Sequence, residues 1–309
     1  SYASFSMPSL QRVIHGIDVF DPKFNIVSPG ADEHTFFSYT DTDRRDPAQS
    51  EQLDNLIYGK PDHQSRGELS GQRKPLLFSM ARLDHIKNLT GLVEWYGKNK
   101  RLQETADLLI IGGTVDPNQS AVSEEREQVQ KMHELFDQHQ LDDRVRWLGV
   151  RLDKQLTGEL YRCVADTGGA FVQPAFFEAF GLTVVEAMVS GLPTFATCYG
   201  GPLEIIEDSV SGYHIDPNHG DQSAEKMADF FERCAADPTN WQNLSAGARK
   251  RVEERYTWKR YANRLLTLTC IYGFWKFATN LEREETNRYL EMFYHLQFKQ
   301  RAAAMRSTA

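Results

Sequence analysis

"GAFVQPAFFEAFGLTVVEAMVSGLPTFAT", residues 169–197, reads as a strand, a loop, a helix and a second strand. Its two ends are short apolar runs of the kind that form buried parallel strands. The middle segment has a helical period and stops at Gly191, with Pro193 just beyond it as a normal C-terminal signal. The stretch therefore predicts neighbouring strands of an α/β sheet joined by a helix.

The same alternation of apolar runs and helical segments extends from Lys74 onward. Candidate strands lie at residues 75–80, 107–113, 145–149, 169–174, 192–197 and 212–216. Helices are predicted to start near Thr90, Ser123, Lys154, Leu182, Leu203 and Ser223. Ser123 is the predicted cap of its helix, with Glu124 and Glu125 in the first turn. The pattern predicts an α/β fold with one doubly wound parallel sheet.

Two stretches depart from this pattern. Residues 38–71 are polar and poor in strand formers, which predicts a helical insertion with mobile ends. After Trp241 the chain is helical and aromatic, with more apolar surface than one helix layer needs. We expect part of it, about residues 281–305, to pack on something besides the preceding domain.

Composition excludes several classes of protein. The net charge of −8 disfavours a nucleic-acid surface, which needs a basic face. No apolar run approaches the length of a membrane span, and the start "SYASFSMPSL" is no signal peptide, so a cytoplasmic location is expected. The four cysteines form no C-x-x-C pair, which disfavours zinc and a disulfide framework. The abrupt start predicts a piece of a longer chain.

Gly181 opens the helix that follows the strand at 169–174. The backbone N–H groups of Gly181, Leu182 and Thr183 would face the crevice at the carboxyl ends of the strands, where open α/β sheets bind ligands. Such a helix start favours an anion such as phosphate, and the absent side chain of glycine permits close approach.

Two glutamates, Glu178 and Glu186, flank this glycine. Carboxylates accept hydrogen bonds from hydroxyls, so this placement suits a ligand with sugars on both sides of a diphosphate, which describes a nucleotide sugar. The alternative is that Glu186 is a solvated helix residue and Glu178 a surface loop acid. The spacing alone does not decide between them.

Cationic partners come from "MARLDHIKN", residues 80–88, at the end of the first predicted strand. Arg82 can bind a phosphate through two hydrogen bonds, and Lys87 adds a point charge. The alternative is that Arg82 pairs with Asp84 and Lys87 is solvated. Residues 200–202, "GGP", follow the next strand and are predicted to form a wall of the same pocket. The sequence contains no G-x-G-x-x-G or Walker lysine motif, and His15 is predicted to be structural.

Several segments together resemble the sucrose synthase family, a group of retaining glycosyltransferases with the GT-B fold. They are "HGIDVFDPKFNIVSPGAD", "RLDHIKN", "LTGLVEWYGKNKRL", "GAFVQPAFFEAFGLTVVEAMVSGLPTFATCYGGPLEII", "GYHIDPNHGDQ", "YTWKRYANRLLTLTCIYGFWK" and "NRYLEMFYHLQF". The resemblance covers nearly the whole chain. It implies two facing Rossmann-like domains with the active site between them, of which this chain supplies the second.

The resemblance also implies a domain division. Residues 1–27 would end the first GT-B domain, 28–265 would form the nucleotide-sugar-binding Rossmann-like domain, and 266–309 would be helices crossing back to the first domain. The partners implied are a nucleotide sugar, sucrose or fructose, the missing N-terminal GT-B domain and further copies in a homo-oligomer. An isolated chain that binds nucleotide without catalysis stays an alternative.

The family's roles carry over residue by residue. Arg82 and Lys87 would hold the diphosphate and neutralise charge as the glycosidic bond breaks, and Glu178 would bind the hydroxyls of the transferred glucose. Glu186 would accept from the ribose. The remaining predicted substrate contacts are Gln173, Phe180, Gly181, Leu182 and Thr183. Retention in this family needs no enzyme nucleophile, so none is assigned, and no metal or cofactor is expected beyond the nucleotide substrate, UDP or ADP.

One departure bears on the nucleobase. Where plant members carry Gln and Asn, this chain has Arg151 and Thr157. Different donors and acceptors would satisfy a different base edge, so ADP is expected to serve as well as UDP or better. The rival enzyme is a sucrose-phosphate synthase or another GT-B transferase, which would use a different acceptor.

Overall fold

The computed structural model describes residues 34–69, 74–278 and 281–300. These residues belong to two compact units, one ending at Trp258 and one starting at Lys259. The predicted segment 1–27 and His15 lie outside the described residues, and the other predicted domain boundaries stay predictions.

In the described part of the chain, seven strands form one sheet in the order β1-β4-β3-β2-β5-β6-β7. They are β1 (Ser65–Arg66), β2 (Leu76–Met80), β3 (Asp107–Ile111), β4 (Val145–Leu148), β5 (Ala170–Gln173), β6 (Thr194–Thr197) and β7 (Tyr213–Ile215). All neighbours are parallel except β1, which runs antiparallel to β4. The chain order reverses between β2 and β5, which confirms the doubly wound α/β fold. In such folds, ligands generally bind in the crevice at the carboxyl ends of the strands where the order reverses.

The first unit carries nine α-helices within the described residues. They are α1 (Pro47–Tyr58), α2 (Leu89–Lys98), α3 (Lys100–Thr105), α4 (Ser123–His139), α5 (Lys154–Asp166), α6 (Leu182–Ser190), α7 (Pro202–Ile205), α8 (Gly220–Ala236) and α9 (Thr239–Arg255). The six predicted helix starts fall within three residues of the observed ones. Capping and period signals are local, which is why they located the helices.

Two sequence predictions need correction. Ser123 does not cap α4, because the cap position is Val122 and no side chain bonds there. The nearby serine that does bond is Ser120, whose hydroxyl accepts from Val122 N at 3.2 Å. The segment 38–71 contains α1, as predicted, but also the unpredicted strand β1, which is too short to show a strand period.

The core lies on both faces of the central strands. All residues of β3, β4 and β5 are buried, as expected for parallel strands covered on both sides. An aromatic cluster of Phe78, Tyr161 and Phe171 packs α5 against β2 and β5, with ring centroids 5.6–5.7 Å apart. Each such side chain stabilises the fold by about 2 kcal/mol through burial. This packing fixes the strand ends that carry the site.

Within the described residues, the second unit consists of α10 (Trp258–Ala278) from its second residue onward, α11 (Leu281–Phe293) and a π-helical continuation at Tyr294–Phe298. The predicted helical tail is therefore confirmed where it is described. Its exposed apolar side chains are Leu265, Leu266, Ile271, Tyr289, Leu290, Met292, Phe293, Tyr294, Leu296 and Phe298. What they pack on stays a prediction. Across the described ranges, none of the helices combines the length and apolarity that crossing a membrane requires.

Candidate functional site

The loops that follow β2 and β5 are joined to each other at the reversal of strand order. Asn88 donates its side-chain amide to the Pro174 carbonyl at 3.1 Å, and Phe176 N donates to the Ile86 carbonyl at 2.9 Å. Asn88 is buried and has a left-handed backbone with φ of 56°. Its side chain occupies space that Gly91 leaves open, since a Cβ there would lie 2.1 Å from Asn88 Oδ1. The two loops therefore form one connected rim.

Lys87 and Glu178 form an ion pair across these loops. Lys87 Nζ lies 2.7 Å from Glu178 Oε2, and Gln173 Nε2 donates to the same oxygen at 2.8 Å. The side chains of Lys87 and Glu178 are only 22% and 17% exposed. Asp84 Oδ1 accepts from Lys87 N at 2.8 Å and holds that backbone in place. Glu178 is thus neither isolated nor a freely solvated surface acid, and Lys87 is not freely solvated.

Arg82 points outward from the same loop. Its side chain is 83% exposed, and its Nη2 lies 3.2 Å from Asp84 Oδ2. This pairing is the alternative that the sequence left open. An exposed ion pair contributes only about 0–1 kcal/mol, so Arg82 can exchange Asp84 for an anionic ligand at little cost.

Helix α6 starts beside the ion pair. Among the described residues, no side chain forms a capping hydrogen bond at its N-terminus. Gly181 is the cap residue and has φ of 103°, a conformation that favours glycine. Leu182 and Thr183, the first two helical residues, are half-buried. The start of α6 thus has the backbone form of an anion-binding helix end.

The turn after β6 closes one side of this region. Glu178 N donates to the Tyr199 carbonyl at 3.2 Å, and Gly201 N donates to the Glu178 carbonyl at 2.8 Å. Gly200 has φ of 99°, and a Cβ on it would lie 2.0 Å from Glu178 O. The segment 200–202 therefore adjoins the Glu178 loop, and the close approach requires glycine at position 200. That this segment forms a pocket wall stays a prediction.

Glu186 lies in the second turn of α6 and is only 8% exposed. The Tyr161 hydroxyl of α5 donates to Glu186 Oε2 at 3.3 Å. Burial, together with the neighbouring Glu186 charge, raises the pKa of Tyr161 well above its ordinary value, so the hydroxyl stays a donor. The alternative that Glu186 is a solvated helix residue is therefore wrong.

The other predicted contacts are more dispersed. Phe180 is half-buried, and its ring centroid lies 6.5 Å from that of Tyr256. Arg151 follows β4 and is exposed. Thr157, in the first turn of α5, is 9% exposed, and its hydroxyl donates to the Asp153 carbonyl at 2.7 Å. Thr157 thus uses its hydroxyl proton inside its own helix.

Sequence reasoning missed two features of the site. Asn88 is the first, because the motif at residues 80–88 predicts no role for it, although an asparagine directly before an apolar helix is a recognisable boundary signal. The bond between Gln173 and Glu178 had no sequence signal, because the identity of a side chain's partner depends on the loop conformation. Among the described residues, no three His, Cys, Asp or Glu side chains cluster so as to hold a metal ion.

Two family descriptions match the chain. Residues 62–254 match "Glycosyl transferases group 1", and residues 1–58 match "Sucrose synthase first GT-B domain". The chain is 59% identical over 300 residues to a sucrose synthase from Nitrosomonas europaea, covering 97% of this chain and 38% of that protein. It is 56% identical over 300 residues to sucrose synthase 2 from Arabidopsis thaliana, covering 97% of this chain and 37% of that protein. These matches confirm the resemblance, and the chain spans less than two fifths of the length of these relatives.

Solved structures share the fold at lower identity. A sucrose-phosphate synthase from Thermosynechococcus elongatus is 22% identical with a TM-score of 0.56, covering 84% of this chain and 56% of that one. HepE from Anabaena, solved in complex with UDP and glucose, is 18% identical with a TM-score of 0.55. The match covers 73% of this chain and 53% of HepE. The match over residues 62–254 spans more than half of the chain and includes all seven strands of the described sheet. The chain therefore belongs to the glycosyl transferases group 1 family.

Proposed function

We propose that this chain is the nucleotide-sugar-binding half of a retaining hexosyltransferase of the sucrose synthase type. The reaction is the reversible conversion of sucrose and a nucleoside diphosphate into the nucleotide-linked glucose and fructose. The observation that carries the proposal is the Lys87–Glu178 ion pair at the reversal of strand order, beside the uncapped start of α6. The similarity to sucrose synthases supports this reaction over others on the same fold.

Positive charge at this site suits a diphosphate. Lys87 supplies a fixed, partly buried ammonium group, and exposed Arg82 supplies a mobile guanidinium that can leave Asp84. The N-terminus of α6 adds backbone N–H donors at Leu182 and Thr183. Together these groups would stabilise the negative charge that grows on the leaving diphosphate.

Carboxylates on either side suit the two sugars. Glu178 would accept hydrogen bonds from the transferred glucose, and Glu186 from the ribose, with Phe180 and Gly181 lining the ligand. In the direction of sucrose synthesis, the bond from glucose C1 to the diphosphate oxygen breaks, and the fructose hydroxyl oxygen bonds to C1 on the same face. The fructose proton passes to the departing phosphate oxygen. Since Glu178 is held by Lys87, we assign it binding rather than nucleophilic attack.

The partner of this half would be an N-terminal GT-B domain that supplies the acceptor side. Support comes from the match of residues 1–58 to the first GT-B domain and from the small share of the relatives that the chain spans. We place the enzyme in the cytoplasm as part of the same proposal. Comparing fructose with fructose 6-phosphate as acceptor in the full-length protein separates it from a sucrose-phosphate synthase, since only fructose should be used efficiently.

Nucleobase choice is the finer part of the proposal. Arg151 is exposed after β4, and the Thr157 hydroxyl is engaged with Asp153, so neither copies the Gln and Asn of plant members. We propose that ADP serves as well as UDP or better. Steady-state kinetics of sucrose cleavage test this, and a much lower KM for UDP than for ADP would contradict it.

Calorimetry tests the diphosphate site directly. Titration of UDP and ADP into the full-length protein and its Lys87→Ala variant should show at least about tenfold weaker binding in the variant, because a charge-assisted contact is lost. Lys131→Ala is the matched control, since Lys131 lies on α4 and its carboxylate partner, Glu94, is 3.9 Å away. Equal affinities for wild type and Lys87→Ala would remove the assignment.

A further inference from the structure

Gln173 ends β5 with its side chain turned toward a functional carboxylate. The residue is 5% exposed, and its Nε2 donates to Glu178 Oε2 at 2.8 Å. Only the nitrogen of an amide can donate to a carboxylate, so this bond sets which way the amide faces. The amide oxygen of Gln173 must then point elsewhere.

That oxygen, Oε1, is buried and has no hydrogen-bond partner. An unsatisfied buried acceptor is unfavourable, and few survive in folded proteins without a reason. An apolar side chain of the same size would fill the end of β5 without burying an unsatisfied acceptor. The bond to Glu178 therefore accounts for an amide at this position, whereas packing alone does not.

The two donors to Glu178 converge on one atom. Lys87 Nζ and Gln173 Nε2 both reach Oε2, while no donor in the described residues reaches the other oxygen, Oε1. Two donors on one oxygen restrict rotation of the carboxylate, and the second oxygen keeps its full capacity to accept. The carboxylate is therefore oriented before any ligand arrives, which is the arrangement that speeds a reaction.

We propose that Gln173 is a positioning residue that acts through Glu178. With Lys87 it holds Glu178 so that Oε1 accepts a hydroxyl hydrogen bond from the transferred sugar. This inference rests on the proposed function and changes the predicted role of Gln173, from a direct substrate contact to a support for one.

Kinetics of sucrose cleavage by the full-length Gln173→Met variant test the inference. We expect kcat to fall by between about 10-fold and about 100-fold, because a misplaced contact weakens the transition state. The KM for the nucleoside diphosphate should stay within about twofold, since Lys87 and the start of α6 are unchanged. The melting temperature should stay equal or rise, because the orphaned acceptor is removed.

Gln103→Met is the matched control. Gln103 is also a buried glutamine, but its Nε2 donates to the carbonyls of Tyr96 and Gly97, before β3 and away from Glu178. Its replacement should lower the melting temperature and leave kcat unchanged. Gln173→Glu is the second variant of the site, since it keeps the side-chain size but replaces the amide donor with a carboxylate that repels Glu178, and it should also lower kcat.

A double-mutant cycle with Glu178→Gln identifies the route of the effect. If Gln173 acts through Glu178, adding Gln173→Met to Glu178→Gln should lower kcat little further. If the fold losses in kcat of the two single variants multiply in the double variant, the inference is overturned and the proposed function stands. The same conclusion follows if both Gln173 variants have a wild-type kcat while Glu178→Gln is impaired. A wild-type kcat for Glu178→Gln would instead remove the proposed role of Glu178 and this inference with it.

Discussion

Asn88 and Pro174 connect the two loops of the site through one buried hydrogen bond of 3.1 Å, although they are 86 positions apart in the sequence. Lys87 directly precedes Asn88, and Glu178 lies in the loop that follows Pro174. The bond therefore links the two backbones that carry the ion pair. The left-handed backbone of Asn88, with φ of 56°, aims its amide at this carbonyl.

Replacing Asn88 by glycine should show how much its side-chain hydrogen bond contributes to stability, apart from its left-handed backbone conformation. Glycine adopts positive φ easily, so Asn88→Gly should lower the free energy of unfolding by about 1 kcal/mol through the lost hydrogen bond. Asn88→Asp should lower the free energy of unfolding further, by about 2–4 kcal/mol, because it buries a carboxylate against a carbonyl oxygen. Urea unfolding measures both, with Asn118→Gly as control, because Asn118 is exposed in the short 3-10 helix Pro117–Gln119. A wild-type stability for Asn88→Gly would show that the loops are held by other contacts.

Gly181 and Gly168 offer a matched pair for testing the helix start. Both have positive φ, 103° and 71°, but a Cβ on Gly168 would meet nothing within 4 Å. Alanine at either position should lower stability by about 1–2 kcal/mol through backbone strain. Only Gly181→Ala should also weaken diphosphate binding in calorimetry, by about tenfold, because its methyl group would lie 3.2 Å from the Pro202 side chain and 3.4 Å from that of Ile205 and so displace the start of α6. Equal affinities in the two variants would place the anion away from α6.

Asp107 should make the stability depend on pH. It is 1% exposed at the start of β3, and burial raises the pKa of its carboxyl to about 6 from an ordinary 3.8. The folded state thus holds this proton at pH values where the unfolded chain has lost it. Stability should therefore fall as pH rises from about 4 to about 6 and then level off.

Asp107→Asn should remove that pH dependence and raise the free energy of unfolding at pH 7 by about 1–3 kcal/mol. Unfolding at pH 4, 5, 6 and 7 provides the measurement. Asp143→Asn is the control, because the Asp143 side chain is 65% exposed. A variant less stable than wild type at pH 7 would mean that the charged carboxylate is stabilised in the fold.

The strands and helices could be predicted because their signals lie in consecutive residues. Apolar runs of strand length and helical periods placed all six parallel strands and the helix starts between them. The two-residue strand β1 was missed, since its existence depends on pairing with β4 rather than on its own pattern. The cap of α4 was also misplaced, because several nearby polar residues compete for one role and only the backbone geometry selects among them.

The sequence by itself determined the sheet, the glycine at the start of α6 and the residue types able to bind a phosphorylated sugar, because local periodicity and side-chain chemistry carry that information. Only the tertiary structure decided how those side chains pair. It joined Lys87 to Glu178 across 91 positions, turned Arg82 toward solvent and buried Glu186 against Tyr161. These pairings arise where β2 and β5 become neighbours, and adjacency between distant strands is a property of the packed sheet.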